Sequence, residues 1–247
     1  MEENMRKNGM ITNTNSLSLV KNIHKENRAF IFGSGYSVNI FDFNKINKED
    51  IIFACNQSIT ALKRCNYFCM TDGAIPEANF FDYGREISDK IAFCSGTSFI
   101  KLPAVIEQYE KIKEKSYFFN RRYNQPQNMN FNIEDDSLIV GTDVVHVTSH
   151  LAHIMGCNPL ILVGVDLNYK KGQKYCSNTE FKKDIIWSRA EQRPGMWPIS
   201  KNPSGEGDKN LNDSYSTWIS IKNANKNVIF LNTNPCGKLS NLFDLFI

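Results

Sequence analysis

A doubly wound, mostly parallel α/β sheet is the fold that this sequence predicts, and three observations carry the prediction. Apolar runs of four to six residues recur along the chain, and several end on glycine, on Cys-Asn or on Thr-Asp. These runs do not alternate with polar residues, which is the pattern of strands covered on both faces. Segments with helical character separate them. A chain of 247 residues is comfortable as one such domain carrying insertions.

The elements follow in order. Residues 1–15 are polar and expected to fray, and a short helix over Leu17–His24 completes an N-terminal extension spanning 1–27. A single domain then covers 28–247. Arg28–Gly33 is the first buried strand, Asp50–Cys55 the second and Tyr67–Met70 the third, the last running into Thr71-Asp72. Gln57–Arg64 reads as a helical connection, and Lys90–Cys94 as a fourth strand. Val105–Lys115 is a charged amphipathic helix. The aromatic and polar stretch 116–137 has no clear period and reads as an insertion or lid. Thr142–Met155 is a helix closed by Gly156, and Leu160–Gly164 is the clearest strand of the chain. A second irregular insertion, 176–215, holds three of the eight prolines. Asn227–Leu231 is a last strand, and the final LSNLFDLFI is expected to pack as a terminal helix.

Bulk properties narrow the function. A net charge of +3 without a basic stripe argues against nucleic acid, yet suits an anionic small ligand. No apolar run reaches membrane-spanning length, and the N-terminus lacks the apolar centre of a signal peptide, so a cytoplasmic protein is expected. The seven cysteines have no regular spacing, which fits reduced thiols.

In a doubly wound sheet, ligands bind beyond the carboxyl ends of the strands, and four candidate segments lie at such ends. Gly33-Ser34-Gly35-Tyr36-Ser37 could bring backbone close to a phosphate and offers the Ser34 and Ser37 hydroxyls. It lacks the third glycine of a dinucleotide fingerprint and the Gly-Lys-Ser/Thr of a Walker loop. Asn56-Gln57 is an amide pair able to read a base or ribose edge. Thr71-Asp72-Gly73 follows the third strand. Each is equally turn chemistry; their recurrence on successive strands is what points to a site. The fourth, Gly164-Val165-Asp166, precedes Tyr169, Gly172 and Tyr175. Asp166 suits anchoring the loop through backbone amides. The two phenols either pack the loop or donate to a departing phosphate.

His146, His150 and His153 fall on one helix face, opposite Val144, Val147, Leu151 and Met155. A three-histidine zinc site is the sharper reading, and a polar face toward solvent or a subunit the plainer and preferred one. Neither GxSxG nor HExxH occurs. Glu191, Glu206, Asp208 and Asp213 are acidic candidates for a general base.

FIFGSGYS, FACNQS and GCNPLILVGVDLNYKKGQKY, in this order, resemble the bacterial sialyltransferases of glycosyltransferase family 42 and the related motility accessory factor (MptE-like) domain. The resemblance is best over 28–72 and 138–176. It implies a Rossmann-like, GT-A-type fold and a metal-independent enzyme with no cofactor. Such an enzyme moves a sialic-acid-like nonulosonic sugar from a CMP-sugar to a surface glycan or lipooligosaccharide. The family's Gly-Asn-Gly-Pro-Ser becomes Gly33-Ser34-Gly35-Tyr36-Ser37, and its Cys-Asn-Gln is matched by Cys55-Asn56-Gln57. By resemblance these loops, with Gly141-Thr142-Asp143 at a helix N-terminus, hold the nucleotide and its sugar. Tyr169 and Tyr175 match the family's pair on the leaving phosphate. The family's catalytic histidine has no counterpart, since no histidine follows His153. Asp213 or Tyr215 stands in the corresponding stretch. Work at the inner membrane face leaves room for peripheral membrane contact and a homo-oligomer. A pterin pyrophosphokinase using ATP and magnesium is the enzymatic alternative. A nucleotide-binding protein without activity is the third.

Overall fold

In the computed structural model, residues 15–71, 80–94, 113–123, 129–168, 176 and 209–247 are described. Ala29–Phe32, four consecutive buried apolar residues, form β1, and all five residues of β2, Ile51–Cys55, are buried as well. β3 is Cys65–Met70 and β4 is Ser88–Phe93, preceded by the helix α1 over Phe80–Ile87. β5 covers Ser116–Phe118, β6 Arg121–Tyr123 and β7 Leu138–Val140. The helix α2 spans Val144–Ile154, β8 Leu160–Val163, the helix α3 Lys209–Ala224, β9 Phe230–Asn232 and β10 Asp244–Leu245.

Eight strands make one sheet in the order β10-β9-β8-β1-β2-β3-β4-β5, while β6 and β7 pair separately. Every pairing is parallel. The chain runs outward from β1 to β5, then returns to lay β8 on the other flank of β1, so the order reverses between β1 and β8. That reversal makes the crevice in which doubly wound sheets hold ligands.

Burial on both faces explains the non-alternating sequence of the strands. Ala29, Ile31, Phe53 and Leu162 pack with Val147, Leu151, Trp218 and Ile221 of α2 and α3. Phe30, Phe32, Phe68 and Val163 pack with Phe80 and Phe81 of α1 and with Val38 and Ile59 of the turns. Each fully buried phenylalanine contributes about 2–3 kcal/mol of transfer free energy. Among the described residues, no helix is long and apolar enough to cross a membrane. The cysteines are free thiols, buried at all positions except Cys236.

Four sequence expectations are corrected. The stretch 116–137 is not wholly a lid: Ser116–Phe118 extends the main sheet, and Arg121–Tyr123 pairs with Leu138–Val140. The insertion 176–215 overlaps α3, which begins at Lys209. The C-terminal segment is a short 3-10 turn over Lys238–Asn241 followed by β10, not a helix. Finally, the histidine face of α2 is largely turned into the protein rather than toward solvent, with His153 alone partly exposed. His146 and His150 are 1% and 0% exposed. His146 packs on Trp218 at 4.6 Å, and Phe131 stacks on His150 at 4.7 Å. The 129–140 segment and α3 together cover the face. Burial pushes all three imidazoles down, that of His153 to about 4.

Candidate functional site

At the β1–β8 crevice the backbones meet so closely that only glycine fits. The Gly33 N–H donates to the Val163 carbonyl at 2.8 Å, and the Gly35 N–H to the Gly164 carbonyl at 2.8 Å. A Cβ on Gly35 would lie 2.4 Å from Asp166 Oδ2 and 2.6 Å from the Gly164 oxygen. Gly164 has φ +70°, the left-handed region that favours glycine, and a Cβ there would meet Val38 Cγ2 at 2.3 Å. The glycines therefore weld the two strand ends together and leave the turn beyond them no freedom to spread.

Asp166, 2% exposed, is the bolt through this joint. Its Oδ2 accepts the Ser37 N–H at 3.0 Å, and its Oδ1 accepts both the Ser37 hydroxyl and, at 2.7 Å, the Asn234 amide. Its carbonyl accepts the Lys238 N–H at 3.1 Å. One carboxylate thus ties the ends of β1, β8 and β9, and all its side-chain donors are neutral. The anchoring role was legible in the sequence; Asn234 as partner was not. Asn232 braces Asn234 in turn, donating to its carbonyl at 2.7 Å. An Asn-x-Asn at the end of β9 was the one available signal. Leu167, next to Asp166, holds φ +50°, an uncommon setting for a non-glycine residue that the surrounding packing must impose.

The second strand end adds amide groups. Asn56 also takes a left-handed φ of +51°, and its Oδ1 is buried without a hydrogen-bond partner among the described residues. Such an acceptor in a crevice is costly unless a ligand or solvent donor meets it. Cys55 N–H donates to Ser58 Oγ at 2.9 Å, and that hydroxyl donates to the Phe32 carbonyl at 2.8 Å, so the ends of β1 and β2 are coupled. Ser34 Oγ donates to the Cys55 carbonyl at 3.3 Å, and the Ser34 carbonyl accepts the Cys176 N–H at 2.8 Å. Burial, with the nearby Asp166 charge adding to it, pushes the Cys176 thiol up to about 12 and keeps it protonated.

The third component is the N-terminus of α2. Asp143 caps it, its Oδ1 accepting the N–H groups of Val145 and His146 at 2.9 and 3.1 Å. Its Oδ2 accepts the Ser214 hydroxyl of α3. His146 Nδ1 accepts the Asp143 N–H at 3.3 Å. Gly141 leaves room for this ring, since a Cβ there would lie 2.4 Å from His146 Nδ1. Thr142 stands on the exposed side of the same turn.

The structure thus brings Gly33, Ser34, Gly35, Ser37, Gly164 and Asp166 into one frame, with Asn56 and Gln57 coupled to it at the end of β2 and Gly141 to Asp143 opening α2. Thr71, partly buried, follows β3 two strands away from β1. Asp213 is exposed on the first turns of α3, between Asn212 and Ser214. Asp72, Tyr169, Tyr175, Glu191, Glu206 and Asp208 lie outside the described residues. The histidines do not converge: His146 turns to Asp143, whereas His150 accepts the Ile139 N–H at 2.9 Å and faces Asp135. Among the described residues, no group of three histidine, cysteine or acidic side chains is placed to hold a metal ion.

The chain has relatives of known fold. The sialyltransferase CstII from Campylobacter jejuni, in complex with the substrate analogue CMP-3FNeuAc, superposes with a TM-score of 0.57 at 15% identity, over 88% of this chain and 86% of that one. CstII with a trisaccharide acceptor and CMP gives 0.51 at 15% identity, over 88% and 85%. The monofunctional α-2,3-sialyltransferase Cst-I from Campylobacter jejuni gives 0.53 at 14% identity, over 90% and 81%. At such identities the likeness is one of fold, and that fold is the Rossmann-like, GT-A-type sheet. No curated protein sequence matches the chain. The family described as 6-hydroxymethylpterin diphosphokinase MptE-like matches residues 3–172, a span that takes in the crevice from Gly33 to Asp166, and the chain belongs to that family.

Proposed function

We propose that this enzyme is a transferase that moves a sialic-acid-like nonulosonic sugar from a CMP donor to a surface glycan or lipooligosaccharide, without a metal ion. One observation carries the choice of donor. Asp143 and Asp166, the described carboxylates framing the crevice, both have their oxygens occupied by protein donors. What the described strand-end turns leave for a ligand is backbone N–H, hydroxyl and amide groups, which suits a nucleoside monophosphate ester better than a magnesium–triphosphate. The fold likeness to CstII bound to CMP supports the same reading.

In this reading the Gly33–Ser37 turn holds the phosphate and Asn56-Gln57 the cytidine, with Thr71 and Asp72 at the next strand end. The acceptor hydroxyl attacks the anomeric carbon as its bond to the phosphate oxygen breaks, inverting the centre and releasing CMP. Asp213 takes the hydroxyl proton, and Tyr169 and Tyr175 donate to the departing phosphate. The enzyme works in the cytoplasm at the inner membrane face. The family description favours a second reading, diphosphate transfer from ATP to a pterin alcohol, which requires magnesium.

Incubation with a CMP-nonulosonate and an acceptor glycan, with CMP release followed chromatographically, separates the two. The proposal expects release insensitive to EDTA and abolished by Tyr169→Phe with Tyr175→Phe. AMP formation from ATP, magnesium and hydroxymethylpterin, with no CMP release, would overturn it.

A further inference from the structure

We infer that Lys238 is a cation of this site, pairing with an oxyanion of the donor. The inference rests on the reading that the crevice holds an anionic nucleotide. Lys238 belongs to the turn after β9, four residues beyond Asn234. Its backbone N–H sits on the Asp166 carbonyl at 3.1 Å. Gly237 lies flush against the same residue, since a Cβ there would come within 3.3 Å of the Asp166 oxygen. Next along, Asn168 Nδ2 donates to the Cys236 carbonyl at 3.3 Å. The whole turn is therefore fastened along the segment leaving β8.

From that root the side chain reaches across to α3, where its ammonium donates to Asn212 Oδ1 at 3.1 Å. Two residues further, Ser214 holds the cap of α2. Lys238 thus stands between the loop of Asp166 and the first turns of α3, on the rim that also carries Asp143 and Asp213. It is partly buried, and among the described residues its ammonium meets only a neutral amide.

The charge balance around the crevice gives this placement its meaning. Among the described residues, Asp166 and Asp143 are satisfied by neutral donors, with no cation on their oxygens to cancel charges that would oppose an incoming anion. An ammonium on the same rim offsets them. In transfer of a sugar from a phosphate ester, the phosphate gains a full negative charge as the glycosidic bond breaks. A cation at that point strengthens its contact as the reaction proceeds. The donor of the proposed reaction carries two oxyanions, the phosphate and the sugar carboxylate, and either fits a lysine ammonium.

Calorimetry with cytidine, CMP and an intact CMP-nonulosonate, on the wild type, Lys238→Gln and Lys238→Arg, tests the assignment. Phosphate pairing predicts that Lys238→Gln weakens CMP by about tenfold, leaves cytidine unchanged and is rescued by arginine. Carboxylate pairing predicts the same loss for the CMP-sugar only. Equal affinities across all three ligands, in a variant with an unchanged thermal midpoint, would overturn the inference and leave the donor reading intact. Should the wild type take adenine nucleotides instead, adenosine against AMP poses the same question after the CMP reading has failed. A wild type that binds no nucleotide overturns both.

Discussion

Two aspartates fasten this protein with opposite chemistry, Asp166 buried and Asp135 partly buried. Asp135, on the flank of α2, is paired with a cation: Arg122 Nη2 lies at 2.7 Å, with the His150 ring nitrogen Nε2 beside it at 3.2 Å. Burial pushes its carboxyl up, but the hydrogen bonds and charges of His150 and Arg122 outweigh that and hold it below its ordinary value. Asp166, at the crevice, is held by a serine and an asparagine and, among the described residues, has no cation on its oxygens. A carboxylate locked by a counter-charge serves only the fold. One locked by neutral donors keeps its geometry while leaving the neighbouring lysine for something else. The contrast separates a structural flank from a ligand-facing edge within the same sheet.

Removing each bolt sharpens the contrast. Asp166→Ala strands the Ser37 N–H and hydroxyl and the Asn234 amide in a dry joint. It should lower the unfolding free energy by about 3 kcal/mol in urea titration and abolish nucleotide binding. Gly35→Ala drives a methyl group toward Asp166 Oδ2 and the Gly164 oxygen. A smaller stability loss, about 2 kcal/mol, with the same loss of binding is expected, checked by calorimetry on the folded fraction. Asp135→Ala should also cost about 2 kcal/mol, since Arg122 and His150 lose their partner, yet nucleotide affinity should stay within about twofold. Equal damage to binding from Asp135→Ala would erase the distinction between flank and edge.

Acid gives the mildest test. His146, His150 and His153 are held below their ordinary 6.5, and His153 sits at about 4. The unfolded chain therefore binds more protons than the folded one between those values, so stability falls as pH drops from 6.5 toward 4. Asp135, also held low, adds a loss below its ordinary 3.8. His153→Gln should shrink the fall seen in thermal midpoints across this window while leaving the pH 8 midpoint nearly unchanged.

The sheet was largely legible because its strands announce themselves locally. Ala29–Phe32, Ile51–Cys55 and Leu160–Val163 are apolar throughout, as double-sided burial requires. The strands missed are two or three residues long, and what makes them strands is a distant partner: Arg121–Tyr123 exists because Leu138–Val140 lies beside it. The C-terminal segment was misread for the same reason, since Asp244-Leu245 is set by its register on Leu231-Asn232. The histidine face was misjudged because polarity along a helix says nothing about what later covers it. Here Phe131 and Trp218, far away in sequence, bury His150 and His146. At the site, residues on strand ends were readable from turn chemistry. Asn234, Ser214 and Lys238 were not, because each acts through a contact 68 to 72 residues away on another element.

Hydrogen exchange on addition of CMP in EDTA tests the central claim most directly. Slowed exchange should appear in Gly33–Ser37, Asn56-Gln57 and Gly141–Asp143 and be absent from the amides of Phe131–Val140 on the flank. Protection confined to the flank, or none at the crevice without magnesium, would contradict the account.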